Sequence, residues 1–171
     1  MKPGHDQYVH RHANGLCIIG LASTHIAFKD EGGVTSVDFN VGKSDRSGLK
    51  VTGKRKKNAL HFESNTELCK ACTNDASYIV RCCVKGSLLE VNDRLIKKPE
   101  LLNSSVGVLT LTIQTVSCVS FDCANNCDIG MADREGYIAI IMPKPADWVK
   151  AKATLLGTEE YRELRKDILP L

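Results

Sequence analysis

The chain has 171 residues, of which 43% are hydrophobic and 25% charged, the make-up of one soluble globular domain. A net charge of +3 is too mild to argue for a nucleic-acid partner by itself, and no apolar run reaches the length of a membrane span. Only 5% of the residues are aromatic, so aliphatic and cysteine side chains must fill the core.

Residues 1–11 are polar, carry His5 and His10, and read as a flexible N-terminal tail. They contain no apolar leader, so no signal peptide is expected. Without export the eight cysteines are expected as mostly reduced thiols. Cys17, Cys82 and Cys83 then serve as small buried hydrophobes.

The apolar run 16–22 has the length of a buried strand. Next, Val37, Phe39 and Val41 alternate with Ser36, Asp38 and Asn40, which predicts a half-buried strand. Residues 49–52 read as a further short strand ended by Gly53. The sharpest charge cluster follows: Lys54, Arg55, Lys56 and Lys57. It is a solvated loop tip, a nuclear import signal, or a contact for phosphate or an acidic protein surface. Leu60, His61 and Phe62 begin another strand.

Residues 67–92 organise the chain. Two strands join at Asn74 and Asp75, and the break at Lys85, Gly86 and Ser87 leads into a third. Period two places Tyr78, Val80, Cys82 and Val84 on one face. Pro99 keeps Lys98 out of helical space. Val106 to Val119 is apolar and nearly uncharged, an aggregation-prone window. Residues 135–142 form an apolar strand. From Ala146 onward the pattern turns helical, with Tyr161, Leu164 and Ile168 on one stripe. Many short strands followed by one or two C-terminal helices predict a small antiparallel β barrel or sandwich.

Chemistry is sparse. Cys69 and Cys72, with Cys82 and Cys83, are the first zinc candidates, but period two sends adjacent strand cysteines to opposite faces. Cys118, Cys123 and Cys127 lack a fourth ligand at finger spacing. There is no nucleophile elbow and no phosphate-binding glycine loop. His25, at a strand end, is expected to make a structural hydrogen bond.

With these residues in place, the chain resembles the Abitram (Simiate) family. His12, Ala13, Asn14, the run 16–19, Leu21, Ala22 and His25 match its first strand, and Thr52, Gly53 and Lys54 its basic turn. Leu68, Cys69, Lys70, Cys72, Tyr78, Val80, Cys83, Val84, Gly86, Leu88, Glu90, Val91 and Asn92 match its central stretch. Lys98, Pro99 and Leu102 follow. The run 135–139 with Pro143 and Lys144 matches the last strand, and Leu155, Leu156, Thr158 and Tyr161 the terminal helix. The match leaves out residues 104–132, an insertion or a translated intron. The family also has more sequence ahead of its first strand.

The resemblance implies a mainly β, lipoyl/biotinyl-like barrel-sandwich hybrid (single hybrid motif), related in fold to the glycine cleavage H protein. The implied layout is a tail at 1–11, a β domain at 12–145 and a helical segment at 146–171. Carriers of that fold modify a lysine at a hairpin tip. The equivalent tip here, Thr73, Asn74, Asp75 and Ala76, has none. The expectation is a non-enzymatic protein with no cofactor and no metal, with actin as partner and a role in modulating transcription. It is expected in the nucleus, at speckles, and in the cytoplasm. Lys54, Arg55, Lys56 and Lys57 are the candidate partner or import contacts. The alternatives are an H-protein-like lipoyl carrier and a zinc- or nucleic-acid-binding module.

Overall fold

The computed structural model describes residues 4–51, 59–104, 119–122 and 135–167. Its strands are β1 (Gln7–Arg11), β2 (Cys17–Leu21), β3 (Ser36–Asp38), β4 (Asn40–Val41), β5 (Ser44–Asp45), β6 (Leu60–Phe62), β7 (Glu67–Cys72), β8 (Ser77–Arg81), β9 (Gly86–Val91), β10 (Val119–Asp122) and β11 (Ala139–Met142). Its helices are α1 (Arg94–Lys97), α2 (Glu100–Ser104), α3 (Pro145–Lys152) and α4 (Thr158–Leu164), with a 3-10 turn at Ile26–Phe28.

A six-stranded sheet runs in the order β10-β1-β2-β11-β9-β6, and a three-stranded sheet in the order β3-β7-β8. A short β4-β5 ribbon accompanies them. Among the described strands only the β1–β10 pair is parallel. Val9, Cys17, Ile19, Leu88, Val91 and Ile141 from the larger sheet pack with Val37, Leu68, Cys69, Ala71, Tyr78 and Val80 from the smaller one in one core. The protein is thus mainly β, with two sheets closed over a shared interior, as expected of a barrel-sandwich hybrid. Among the described residues no helix is long and apolar enough to cross a membrane.

The predicted alternations hold. Val37, Phe39 and Val41 are buried while Ser36, Asp38 and Asn40 are exposed. Tyr78, Val80, Cys82 and Val84 are all buried. Yet β9 does not continue the β7–β8 sheet. The chain turns a corner at residues 82–85, where Cys83 adopts a positive φ of 62°, and β9 enters the larger sheet between β11 and β6. Gly86 sits at that entry because a Cβ there would lie 2.6 Å from the main-chain oxygen of Met142. Lys98 is outside helical space as predicted, with φ −138° and ψ 70°.

Four expectations are corrected. Residues 1–11 are not a tail throughout: Gln7–Arg11 is a strand paired on both sides, and Asp6, Gln7, Val9 and His10 are buried. Their polarity hid this, because the partners that satisfy them are distant in sequence. Residues 49–51 make an isolated bridge, Lys50 to Glu90, instead of a regular strand. The α4 stripe is narrower than its period suggests: Tyr161 is fully buried but Leu164 is 58% exposed. Cys83 is disulfide-bonded, not a reduced thiol. Thr52, Gly53, Ile168 and all of 104–132 except Ser104 and β10 lie outside the described residues, so the reading of that segment as inserted sequence does too.

Candidate functional site

The hairpin tip between β7 and β8 is held from below. Thr73 N donates to Ala76 O at 2.8 Å and closes the turn, and Ala76 N donates to Thr73 Oγ1 at 3.1 Å. Thr73 Oγ1 donates to Asp30 Oδ2 at 2.8 Å, and Tyr78 Oη donates to the same oxygen at 2.7 Å. Asn74 Nδ2 adds a bond to Glu31 O at 3.2 Å. The Tyr78 and Thr73 hydroxyls hold the Asp30 carboxyl below its usual range, since both stabilise the charged form. Gly33, at φ 63°, brings the same loop close to α2. There the Asn103 carboxamide pairs with both main-chain groups of Val34, accepting at 3.0 Å and donating at 3.1 Å.

Behind the tip lie three rings. His25, His5 and Tyr78 meet edge to face, with centroids 5.4–5.6 Å apart. His25 makes the structural hydrogen bond expected of it: its Nδ1 accepts from Ala27 N at 3.1 Å and caps the 3-10 turn. Burial pushes its pKa down to about 4, with a further push from His5 and an opposing pull from Asp6 and Asp30.

A second polar cluster joins the two ends of the fold. Asp6 is 1% exposed. It accepts from Thr24 Oγ1 at 2.8 Å, Tyr161 Oη at 3.1 Å, and Arg165 Nε and Nη2 at 3.1 Å each. Thr24 and Tyr161 also contact each other through their hydroxyls. This paired arginine fork fastens α4 to the start of β1.

The tip carries Thr73, Asn74, Asp75 and Ala76, with no amine. Lys70 is in β7, opposite Asp38 and Ile79, and not at the tip. Cys69 is fully buried and Cys72 only partly, as their position on opposite faces requires. Burial pushes the Cys69 thiol far up and the Cys82 thiol up to about 12, so neither is a ready nucleophile. Among the described residues no three His, Cys, Asp or Glu side chains converge to hold a metal. Lys54, Arg55, Lys56, Lys57, Cys118, Cys123 and Cys127 lie outside the described residues. Sequence reasoning did not single out Asp30, Asp6 or Arg165. Asp30 is tied to Thr73 across 43 residues and Asp6 to Arg165 across 159, and no local pattern announces such pairs.

The fold and this site define a class: a mainly β domain with a pinned hairpin tip that has no lysine to carry a prosthetic group. Protein Abitram of Dictyostelium discoideum is 31% identical over 161 residues, covering 94% of this chain and 74% of that protein. The chain therefore belongs to the Abitram family. Protein Abitram of Drosophila melanogaster is 31% identical over 156 residues, and the chain spans 60% of its length. The Homo sapiens protein is 27% identical over 161 residues, with coverage of 93% and 75%. No family model matches the chain. Among solved structures, a glycine cleavage system H protein from Mycobacterium marinum aligns over 84% of this chain and 87% of its own. Its TM-score is 0.42 and its sequence identity 13%, so that likeness carries no argument about function.

Proposed function

We propose that the protein is a non-enzymatic interaction protein that binds actin and modulates transcription, working in the nucleus, at speckles, and in the cytoplasm. The observation that carries this reading is family membership, at 31% identity over 94% of the chain. Actin, transcription and the two compartments come with the Abitram resemblance and with no particular side chain. The non-enzymatic part draws support from the site. The tip offers no amine for acylation, and its hydroxyl and amide groups are engaged internally. A carrier would need that amine on a free arm. Lys54, Arg55, Lys56 and Lys57 are the contact for an acidic partner surface or for import, through charge complementarity.

Replacing all four basic residues with glutamate tests the contact assignment. Capture of actin from cell extract should fall, nuclear accumulation should fall, or both should. If neither changes, these four residues are not the contact.

A further inference from the structure

Arg46 is 5% exposed, yet none of the ion pairs among the described residues includes it. Its Nη1 donates to Val41 O at 2.6 Å and Ser44 O at 3.3 Å, and its guanidinium carbon stands 5.0 Å over the Phe62 ring. Those bonds satisfy one side of the fork. On the other side Nε is sealed from solvent and has no hydrogen-bond partner.

Two features of the β4–β5 turn bear on that unsatisfied side. Gly42 has a φ of 65°, which glycine adopts without strain, and even a Cβ there would be 3.9 Å from Arg46 Nη2. No side chain from that residue therefore covers the fork. The turn's other residue, Lys43, is exposed and adds a second positive charge. The acidic groups nearby are engaged elsewhere. Asp45 accepts from Ser47 N at 2.8 Å, and Glu67 lies 3.9 Å from Arg81. Glu67 acts on Arg46 only at longer range, against a larger desolvation that lowers the arginine's pKa.

A buried guanidinium held in no close ion pair is costly, and its unused Nε–Nη2 edge is the edge that fits a carboxylate with two parallel hydrogen bonds. We infer that this edge of Arg46, reached across Gly42, is a binding site for a single carboxylate group. The carboxylate approaches Nη2 first and takes Nε as the side chain adjusts. The group is either a free small carboxylate or an acidic side chain on a peptide. The inference is independent of the actin reading, because it rests on Arg46 and its surroundings alone.

Sodium formate and an end-capped tetraglutamate peptide are the two probes, each against sodium chloride at matched ionic strength. The first readout is the Nε–H cross-peak of Arg46 in a proton–nitrogen correlation spectrum of the wild-type protein. The second is the thermal midpoint of wild type and of Arg46→Lys, which keeps the charge and loses the fork. A saturable shift of the Arg46 signal with formate, absent with chloride, together with a midpoint gain lost in Arg46→Lys, supports the site. A shift with tetraglutamate at much lower concentration assigns the site to acidic peptides, and equal or weaker action assigns it to free carboxylates. No saturable shift with either probe overturns the inference. So does an equal midpoint gain in Arg46→Lys. The spectrum of the wild type decides the matter even if that variant does not fold.

Discussion

A Cβ on Gly86 would stand 2.6 Å from the Met142 main-chain oxygen and 2.8 Å from Ile141 Cγ2. Neither atom is the free end of a long side chain, so the sheet itself must move. Gly86→Ala is expected to lower stability by about 1–3 kcal/mol, the range for overpacking, read as a drop in the urea midpoint. His25 sets a pH dependence at the same scale. Its folded pKa is lowered from 6.5 to about 4 by burial, so the unfolded chain takes up the proton first. The stability is fully present above pH 6.5 and is lost as pH falls toward 4. At about 1.4 kcal/mol per unit the full loss is about 3 kcal/mol. Comparing urea midpoints at pH 7 and pH 4.5 for wild type and His25→Asn isolates it, since asparagine keeps a capping oxygen but does not titrate. The variant should lose much of the slope, and an unchanged slope would place it on other groups. A structural hydrogen bond from His25 was legible because Ser23 and Thr24 precede it at a strand end; that the bond caps a 3-10 turn was not. Its three-ring neighbourhood was not, because His5 and Tyr78 come from separate parts of the chain.

At the scale of elements, two devices decide how the hairpin and the last helix sit. Arg165 reaches Asp6 across 159 residues, and both side chains are largely withdrawn from water, at 14% and 2% exposure. Breaking such a pair leaves a buried charge alone, so Arg165→Met is expected to cost about 3–5 kcal/mol. Asp6→Asn combined with Arg165→Met should recover part of that loss in a double-mutant cycle. The Asp30 clasp is a lesser device on the surface. Asp30→Ala should speed amide hydrogen exchange in residues 73–78 while leaving exchange in β9 and β11 near its wild-type rate. The β7–β8 hairpin itself was legible from alternation, because each of its strands buries one face. The crossing of β9 into the other sheet was not, since Cys82 and Val84 continue the strand alternation in sequence and the break reads as an ordinary turn at Lys85, Gly86 and Ser87. Strand β1 was hidden for a related reason: Gln7 is buried because its carboxamide bonds both main-chain groups of Arg81, 74 residues away.

For the whole molecule, the aliphatic and cysteine core foreseen from the low aromatic content is what the two sheets enclose. It makes a prediction about reactivity. In the native state Cys69 and Cys82 should resist a thiol reagent at pH 8, and Cys72, which is half-buried, should react first among Cys17, Cys69, Cys72 and Cys82, the described cysteines outside a disulfide. Denaturation should release all four. The family was legible as an ordered series of small matches, from Leu21 and Ala22 through Gly86 to Tyr137, and not as a single motif. The central functional claim is that a chain with this fold and no lysine at its hairpin tip binds actin directly. Co-sedimentation of the purified protein with actin filaments over a salt series tests it most directly. The account predicts saturable binding that weakens as salt rises; no co-sedimentation at low salt would contradict it.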